Sequence, residues 1–353
     1  MERKRRILVA PLDWGLGHAT RCIPIITALL KRNAEVIIAG SGSSAELLKM
    51  EFPGLKQCSF PAYNPRYPKN GNMVGGMAWQ LPGFIKTIYH EHARLNELAA
   101  TEKIDVVISD NRYGCYSLRV KSVFITHQLN ILMPGSFKWI EGIVNHFNHH
   151  QIKNFDECWI PAPDNHLLGE LLRGKIPSHT RFIGYLSRLR KQPAEHKYDI
   201  VAIASGPDPQ RTILVDMLRE QFKATQLRVF LVAGDVAGEE KISTSGNLTE
   251  ANYLGTDKLN SIIEQGDIIV ARSGYSTIMD LARLGKKAIF IPTPGQTEQT
   301  YLAEQLMKQG TAFSMEQSDF NFIKALKESD KFSGFTNFGF DEVLLDQAIQ
   351  SIL

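Results

Sequence analysis

The chain lacks most of what would place it outside the ordinary run of globular proteins. Its four cysteines, Cys22, Cys58, Cys115 and Cys158, are widely spaced with no C-x-x-C pair. That excludes a disulfide framework and a cysteine metal site, and it fits reduced thiols in a cytoplasmic protein. No run reaches the roughly 18 apolar residues that a membrane span needs. Charge of one sign is also missing: 40 Lys and Arg against 37 Asp and Glu leave a net +3, so no nucleic-acid partner is implied. The basic cluster Arg3, Lys4, Arg5, Arg6 is local. It reads as a solvated lead-in to a first strand, with contact to anionic lipid as the sharper alternative, and no apolar signal region follows it. Metal motifs are scarce too: there is no Asp-x-Asp at a strand end. His146, His149 and His150 are close together, but on a helical surface among Asn and Phe. They read as surface or acceptor-side residues, and no metal and no bound cofactor are expected.

What is present is alternation. A chain of 353 residues is too long for one ordinary core and suits two domains of roughly 150–180 residues. In the first half, apolar strands at Ile7–Pro11, Glu35–Ala39, Asp105–Ser109 and Ser122–Thr126 alternate with helical patterns at Ile23–Lys31 and Ile85–Thr101. A small-residue turn is read at Gly40–Ser44, and Glu157–Pro161 and Arg181–Tyr185 close this half. A polar stretch over 188–198, holding Pro193, reads as a linker. Strands at Asp199–Ala204, Arg228–Val232, Asn252–Leu254, Asp267–Ala271, Ala288–Ile291 and Thr311–Ser314 then repeat the design. The expected fold class is α/β, as two Rossmann-like domains with parallel sheets facing a cleft, at 1–187 and 199–331.

Residues 270–303 carry the strongest chemical pattern. The turn Arg272-Ser273-Gly274 lies between a strand and the helical pattern Thr277–Leu284. Backbone N–H groups and the positive helix end there suit an anion, most plausibly a phosphate. Asp280 follows Ser276 by four residues on one helix face, where a carboxylate suits the paired hydroxyls of a ribose. The loop Pro294–Gln299 offers Gln296, Glu298 and Gln299 to sugar hydroxyls. Phosphate, ribose and sugar in that order describe a nucleotide sugar. Arg272 is either a phosphate contact or a surface charge, and beside this turn contact is preferred. Ser205-Gly206 offers a second phosphate-facing turn, read at the opposite strand end of the same domain. Asp208 makes that helix start less welcoming to an anion, and an ordinary strand–helix turn is the alternative.

The first half has a Gly-rich loop of its own, Asp13-Trp14-Gly15-Leu16-Gly17-His18-Ala19-Thr20-Arg21. A dinucleotide site is the weaker reading here, because Thr20 stands where a third glycine belongs and the second strand ends in Ala39-Gly40-Ser41 instead of an acid. Gly15 and Gly17 are read as letting the backbone approach a substrate while His18 serves as general base for an attacking hydroxyl. A helix-capping or packing histidine is the alternative. His127, in Thr126-His127-Gln128-Leu129-Asn130, could touch acceptor or donor, or merely bond backbone. Asp110, at a strand end, could orient a site group or cap a turn. Val74–Ile88 is unusually apolar for a loop region: buried packing is the default, and a lipid-facing or acceptor-binding patch is the sharper reading.

These motifs resemble the donor half of GT-B glycosyltransferases, in particular the family that adds N-acetylglucosamine to the peptidoglycan lipid intermediate and its plant galactolipid-synthase relatives. Arg272-Ser273-Gly274, Asp280, Glu298-Gln299 and Ala303 occupy the places of that group's UDP-sugar residues. Asp280 stands where the group has Glu, and Leu302 where it usually has Asn. His127-Gln128-Leu129-Asn130 is similar to its His-Glu-Gln-Asn segment. The Gly-x-Gly-His loop with its Arg-Cys resembles the same transferases, and still more the UDP-sugar hydrolases of pseudaminic acid biosynthesis. The resemblance implies a C-terminal helix, 341–353, that crosses back to the first domain. It also implies an inverting, metal-independent transferase that takes a UDP-sugar donor and a glycan or lipid-linked acceptor, peripheral at the inner face of the membrane. A nucleotide-sugar hydrolase or epimerase on the same fold is the alternative, and a non-catalytic nucleotide-sugar binder a third.

Overall fold

A computed structural model describes residues 3–66, 73–164, 167–174, 176–236, 239–336 and 338–353. The first compact unit comprises Met1–Pro65, Met77–Leu186 and Phe340–Leu353. Its elements are β1 (Arg6–Pro11), α1 (Leu16–Lys31), β2 (Glu35–Gly40), α2 (Gly42–Glu51), β3 (Lys56–Ser59), α3 (Met73–Thr101), β4 (Val106–Asp110), β5 (Lys121–Ile125), α4 (Glu141–Ile152), β6 (Glu157–Ile160) and β7 (Thr180–Phe182). Among the described residues these strands form one seven-stranded sheet, β3-β2-β1-β4-β5-β6-β7, parallel throughout. Ile7, Leu8, Val9 and Ala10 are all fully buried, as a central strand covered on both faces requires.

The second unit, Arg66–Gly76 and Ser187–Gly339, repeats this plan. It runs β8 (Tyr198–Ile203), α5 (Gln210–Lys223), β9 (Val229–Val232), β10 (Ile242–Ser245), β11 (Leu248–Ala251), α6 (Thr256–Glu264), β12 (Gly266–Ala271), α7 (Tyr275–Leu284), β13 (Lys287–Phe290), α8 (Thr297–Lys308), β14 (Phe313–Ser314) and α9 (Phe322–Ser329). Its sheet order is β10-β11-β9-β8-β12-β13-β14, with β10 the antiparallel edge. The chain ends in α10 (Glu342–Gln350), whose Ala348 and Ile349, with Ile352 beyond it, lie in one core cluster with Ile7, Ile26 and Leu29 of the first unit.

Both halves therefore alternate strand and helix around parallel sheets, as the apolar periodicity predicts. The differences are local. Helix α1 starts at Leu16, seven residues before the expected Ile23, so the second part of the stretch read as a Gly-rich loop is its opening, and Pro24 lies inside it. Gly40–Ser44 is the entry to α2, not only a turn. Val74–Ile88 lies within α3, whose Pro82 removes one backbone donor without ending the helix. The expected strand Asn252–Leu254 is displaced by the hairpin β10–β11. Residues 188–198 belong to the second unit: Leu189 is 1% exposed and Arg190 N donates to Asn260 Oδ1 at 2.9 Å. No helix among the described residues is long and apolar enough to cross a membrane.

Candidate functional site

In each sheet, the first strand and the one beside it that opens the second half form a switch in strand order, where α/β sheets bind ligands. In the first unit that switch is β1/β4, with Pro11 opposite Asp110. Gly15 caps α1 at φ 84°, a backbone that a residue with a Cβ adopts only at a cost. This lets the chain turn directly from strand into helix and brings His18 into the first turn. There His18 Nδ1 lies 3.0 Å from Asp110 Oδ1. Arg21, one turn on, donates from Nε to Asp110 Oδ2 at 2.9 Å and from Nη2 to Oδ1. Its Nη1 lies 2.8 Å from His127 Nδ1.

Asp110 is wholly buried and Arg21 nearly so. Burial works against the Asp110 charge, but the Arg21 guanidinium and the His18 ring outweigh it and hold the carboxyl well below the usual range. His18 Nδ1 lies 3.0 Å both from Asp110 Oδ1, which only accepts, and from Arg21 Nη2, which only donates; bonded to the carboxylate, a neutral His18 carries its proton on Nδ1 and leaves Nε2 as the basic nitrogen. A guanidinium only donates, so His127 accepts at Nδ1 and carries its proton on Nε2. His18, Asp110 and His127, chosen separately as strand-end residues, thus form one constellation. Arg21, which joins them, was not singled out; its signal was the spacing of three from His18.

In the second unit the switch is β8/β12, with Ile203 opposite Ala271. Ser205-Gly206 and Ser273-Gly274 follow those two partners by equal steps, so both turns sit at the same strand end, side by side. This corrects the expectation that Ser205-Gly206 lies at the opposite end. Gly206 has φ 101°, which again suits glycine. Gly274 is the N-cap of α7 and has no side chain to bond the first turn, which begins at the strand end.

Arg272 differs from expectation in its geometry. It is 1% exposed and its guanidinium donates to Ile291 O and Pro292 O at 3.0 Å, Gln210 O at 3.1 Å and Gln317 Oε1 at 2.6 Å. It braces the strand ends from below, and burial pulls its pKa down to about 10. Ser273 Oγ donates to Gln299 O at 2.8 Å, and Gln299 Oε1 accepts from Thr293 N at 2.8 Å. Ser273 and Gln299 therefore hold the α7 and α8 starts together. Thr297–Gln299 is the first turn of α8, not loop, so Glu298 stands at a helix N-terminus with Gln296 as its cap residue. Ser276 lies in the first turn of α7 and Asp280 one turn deeper, as expected. Asp280 Oδ1 accepts from Ser187 Oγ at 2.6 Å, and Arg188 Nε lies 4.0 Å from Oδ2. Burial pushes the Asp280 carboxyl up, with Arg188 and Ser187 opposing. Ser187 and Arg188 were read as the edge of a linker; the sequence held no signal for their meeting with Asp280.

One trio among the described residues could offer metal ligands: His196, Asp199 and Asp267, with ligand atoms within 4.8 Å of one another. It lies at the other ends of β8 and β12, and His196 Nδ1 already bonds Asp267 Oδ1 at 2.7 Å.

The fold is that of the GT-B glycosyltransferases. The structure of the glycotransferase of kitacinnamycin superposes with a TM-score of 0.63 at 16% identity, over 100% of this chain and 94% of that one. Within that class the second half is more specific: residues 210–333 match the Glycosyltransferase family 28 C-terminal domain. The chain is 29% identical over 143 residues to the UDP-N-acetylglucosamine–N-acetylmuramyl-(pentapeptide) pyrophosphoryl-undecaprenol N-acetylglucosamine transferase of Glaesserella parasuis serovar 5, covering 38% of this chain and only 40% of that relative. An uncharacterized glycosyltransferase of Methanosarcina acetivorans is 23% identical over 334 residues, covering 86% of this chain and 84% of its own.

Proposed function

We propose that this protein transfers a sugar from a UDP-sugar to a hydroxyl of a glycan or lipid-linked acceptor, with inversion and without a metal. The observation that carries the reading is the bond between His18 and Asp110 at the β1/β4 switch. A neutral imidazole whose Nδ1–H is fixed by a carboxylate presents Nε2 as a base. Nε2 takes the acceptor's proton while the hydroxyl oxygen attacks the anomeric carbon and UDP departs. Asp110, bound on both oxygens by Arg21, orients His18, and in this reading, which follows the resemblance to inverting transferases, the acceptor oxygen attacks in a single displacement that inverts the anomeric carbon.

The donor belongs to the second unit. The first-turn N–H groups of α7 and its positive end stabilise the leaving diphosphate. Asp280 takes the ribose, and Glu298 with Gln296 takes the sugar. Arg272 supports this site through the turns it braces, since its Nη1 and Nη2 are engaged by protein oxygens. The printed name of the Glaesserella parasuis relative, a transfer to a pyrophosphoryl-undecaprenol, supports a lipid-linked acceptor here. So do the exposed apolar side chains of α3 and α4, with Trp79 88% and Ile143 70% exposed. These fit a peripheral contact with the inner face of the membrane.

The test is a thermal-shift series with UDP, GDP, TDP, ADP and NAD, with and without EDTA, followed by UDP release from UDP-sugars. The expected result is stabilisation by UDP that EDTA leaves unchanged, and UDP release that requires an acceptor. His18→Ala keeps the shift and loses transfer. Stabilisation by NAD alone would overturn the reading, and UDP release without acceptor would make the protein a hydrolase.

A further inference from the structure

We infer that the first unit carries a carbohydrate subsite built on Asp13 and Trp14, which takes a neutral sugar bearing an apolar aglycone. Its use as the acceptor subsite rests on the sugar-transfer reading; its capacity to bind does not. Asp13 is 4% exposed in its side chain. Its Oδ2 accepts from Tyr63 N at 2.9 Å and Asn64 N at 3.4 Å, but Oδ1 is buried without a hydrogen bond. The neighbouring indole Nε1–H of Trp14 is likewise buried without an acceptor. The nearby cation does not meet the need: Arg112 Nη2 lies 3.5 Å from Asp13 Oδ1 and donates to Ser41 Oγ at 3.1 Å, while Nη1 is bonded to Glu91 Oε1 at 2.7 Å. An unmade bond at a buried carboxylate is costly to leave standing. Adjacent residues thus offer one free acceptor and one free donor, the complement of a sugar hydroxyl, which is both.

The surroundings select the ligand. Trp14, Tyr63 and Phe84 form a half-buried aromatic cluster, with ring centroids 5.3 Å apart for Trp14–Phe84, 6.3 Å for Trp14–Tyr63 and 5.9 Å for Tyr63–Phe84. Such rings take the apolar face of a pyranose. Two carboxylates, Asp13 and Glu91, face the single guanidinium of Arg112. Burial pushes the Glu91 carboxyl up, and an unpartnered carboxylate oxygen on Asp13 favours a ligand that brings hydrogen-bond donors over a diphosphate, whose oxygens only accept. Beyond Phe84, α3 exposes Trp79, Leu81, Ile85 and Tyr89, an apolar continuation for the aglycone. Asp13, Trp14 and His18 all leave the same strand end within six residues.

The experiment titrates the full chain, its tryptophans labelled with nitrogen-15, with octyl β-D-glucopyranoside below its micelle concentration. The four tryptophans, Trp14, Trp79, Trp139 and Trp159, each give one indole signal, and Trp14→Phe assigns that of Trp14. The expected result is a saturable shift of the Trp14 indole signal, with calorimetric affinity reduced about tenfold in Asp13→Asn, as for one lost bond to a charged group. Should Asp13→Asn fail to fold by circular dichroism, Trp14→Phe decides, because it keeps a ring and removes only the N–H donor; it too should bind several-fold more weakly. A response confined to Trp79 and Trp139, which would be surface adsorption, or wild-type affinity in the folded variants, overturns the subsite. Loss of the transferase reading registers separately, as absence of UDP binding in the second unit.

Discussion

Arg21 shows how much one side chain can decide inside a dry site. Asp110 is held ionised by Arg21 and His18 although it is wholly buried, and removing the guanidinium leaves a buried charge with half its support. Arg21→Met is expected to destabilise the first unit by about 3–5 kcal/mol at pH 7, the cost of breaking a buried ion pair from one side. The pH dependence has a definite sign. The Asp110 carboxyl is depressed in the folded wild type, so its contribution is present above the unfolded value of about 3.9 and fades only as pH falls through the folded one. In Arg21→Met, burial pushes that carboxyl up instead, and protonation relieves it. Urea unfolding should therefore show the gap between wild type and variant shrinking from pH 7 to pH 5; a constant gap would mean that Arg21 acts through packing alone. At this scale His18, Asp110 and His127 were legible, because polar residues at strand ends of a parallel sheet point to its functional edge. Arg21 was hidden because a cation one turn into a helix looks like any solvated charge. Asp13 and Trp14 were hidden because an unmade hydrogen bond is a property of packing, not of sequence.

At the scale of elements, the β12 end, the β13 end, the α5 start and the Gln317 turn after β14 have no strong local reason to stay in register at their polar tips. Arg272 supplies one, with four protein oxygens bonded by one buried guanidinium. Arg272→Met should cost roughly 2–4 kcal/mol by leaving several buried acceptors unmet, and should weaken UDP binding although no UDP atom need touch Arg272. Lysine should not rescue it, since a point ammonium lacks the planar fork. Wild-type UDP affinity in Arg272→Met would detach the brace from the donor site. The element boundaries explain which parts of this were readable. The Arg272-Ser273-Gly274 turn stood out because a strand pattern stops and a helix pattern starts across it. The direction of the Arg272 side chain did not, since inward bracing and outward phosphate binding share one local sequence. The α1 start was obscured by Gly15 and Gly17, which read as loop, although the helix begins at Leu16 and is packed by Cys22, Ile23, Ile25, Ile26 and Leu29.

The described residues divide into two compact units, and the chain's last helix belongs with the first of them. Strand and helix alternation was readable because period and apolarity dictate it locally. The membership of α10 depended on a long return of the chain that no local pattern encodes. Ile349, fully buried beside Ile26 and Leu29, offers the test of that arrangement. Ile349→Ala should cost about 2–5 kcal/mol and lower one calorimetric transition by several degrees, that of the first unit. The second unit keeps its own core of Leu214, Leu231, Val270 and Ile289, so UDP should still raise its transition, by about 2.7 kcal/mol of stabilisation at a hundredfold excess over Kd. A fall of both transitions together in Ile349→Ala, with UDP raising both, would show one cooperative unit in place of two.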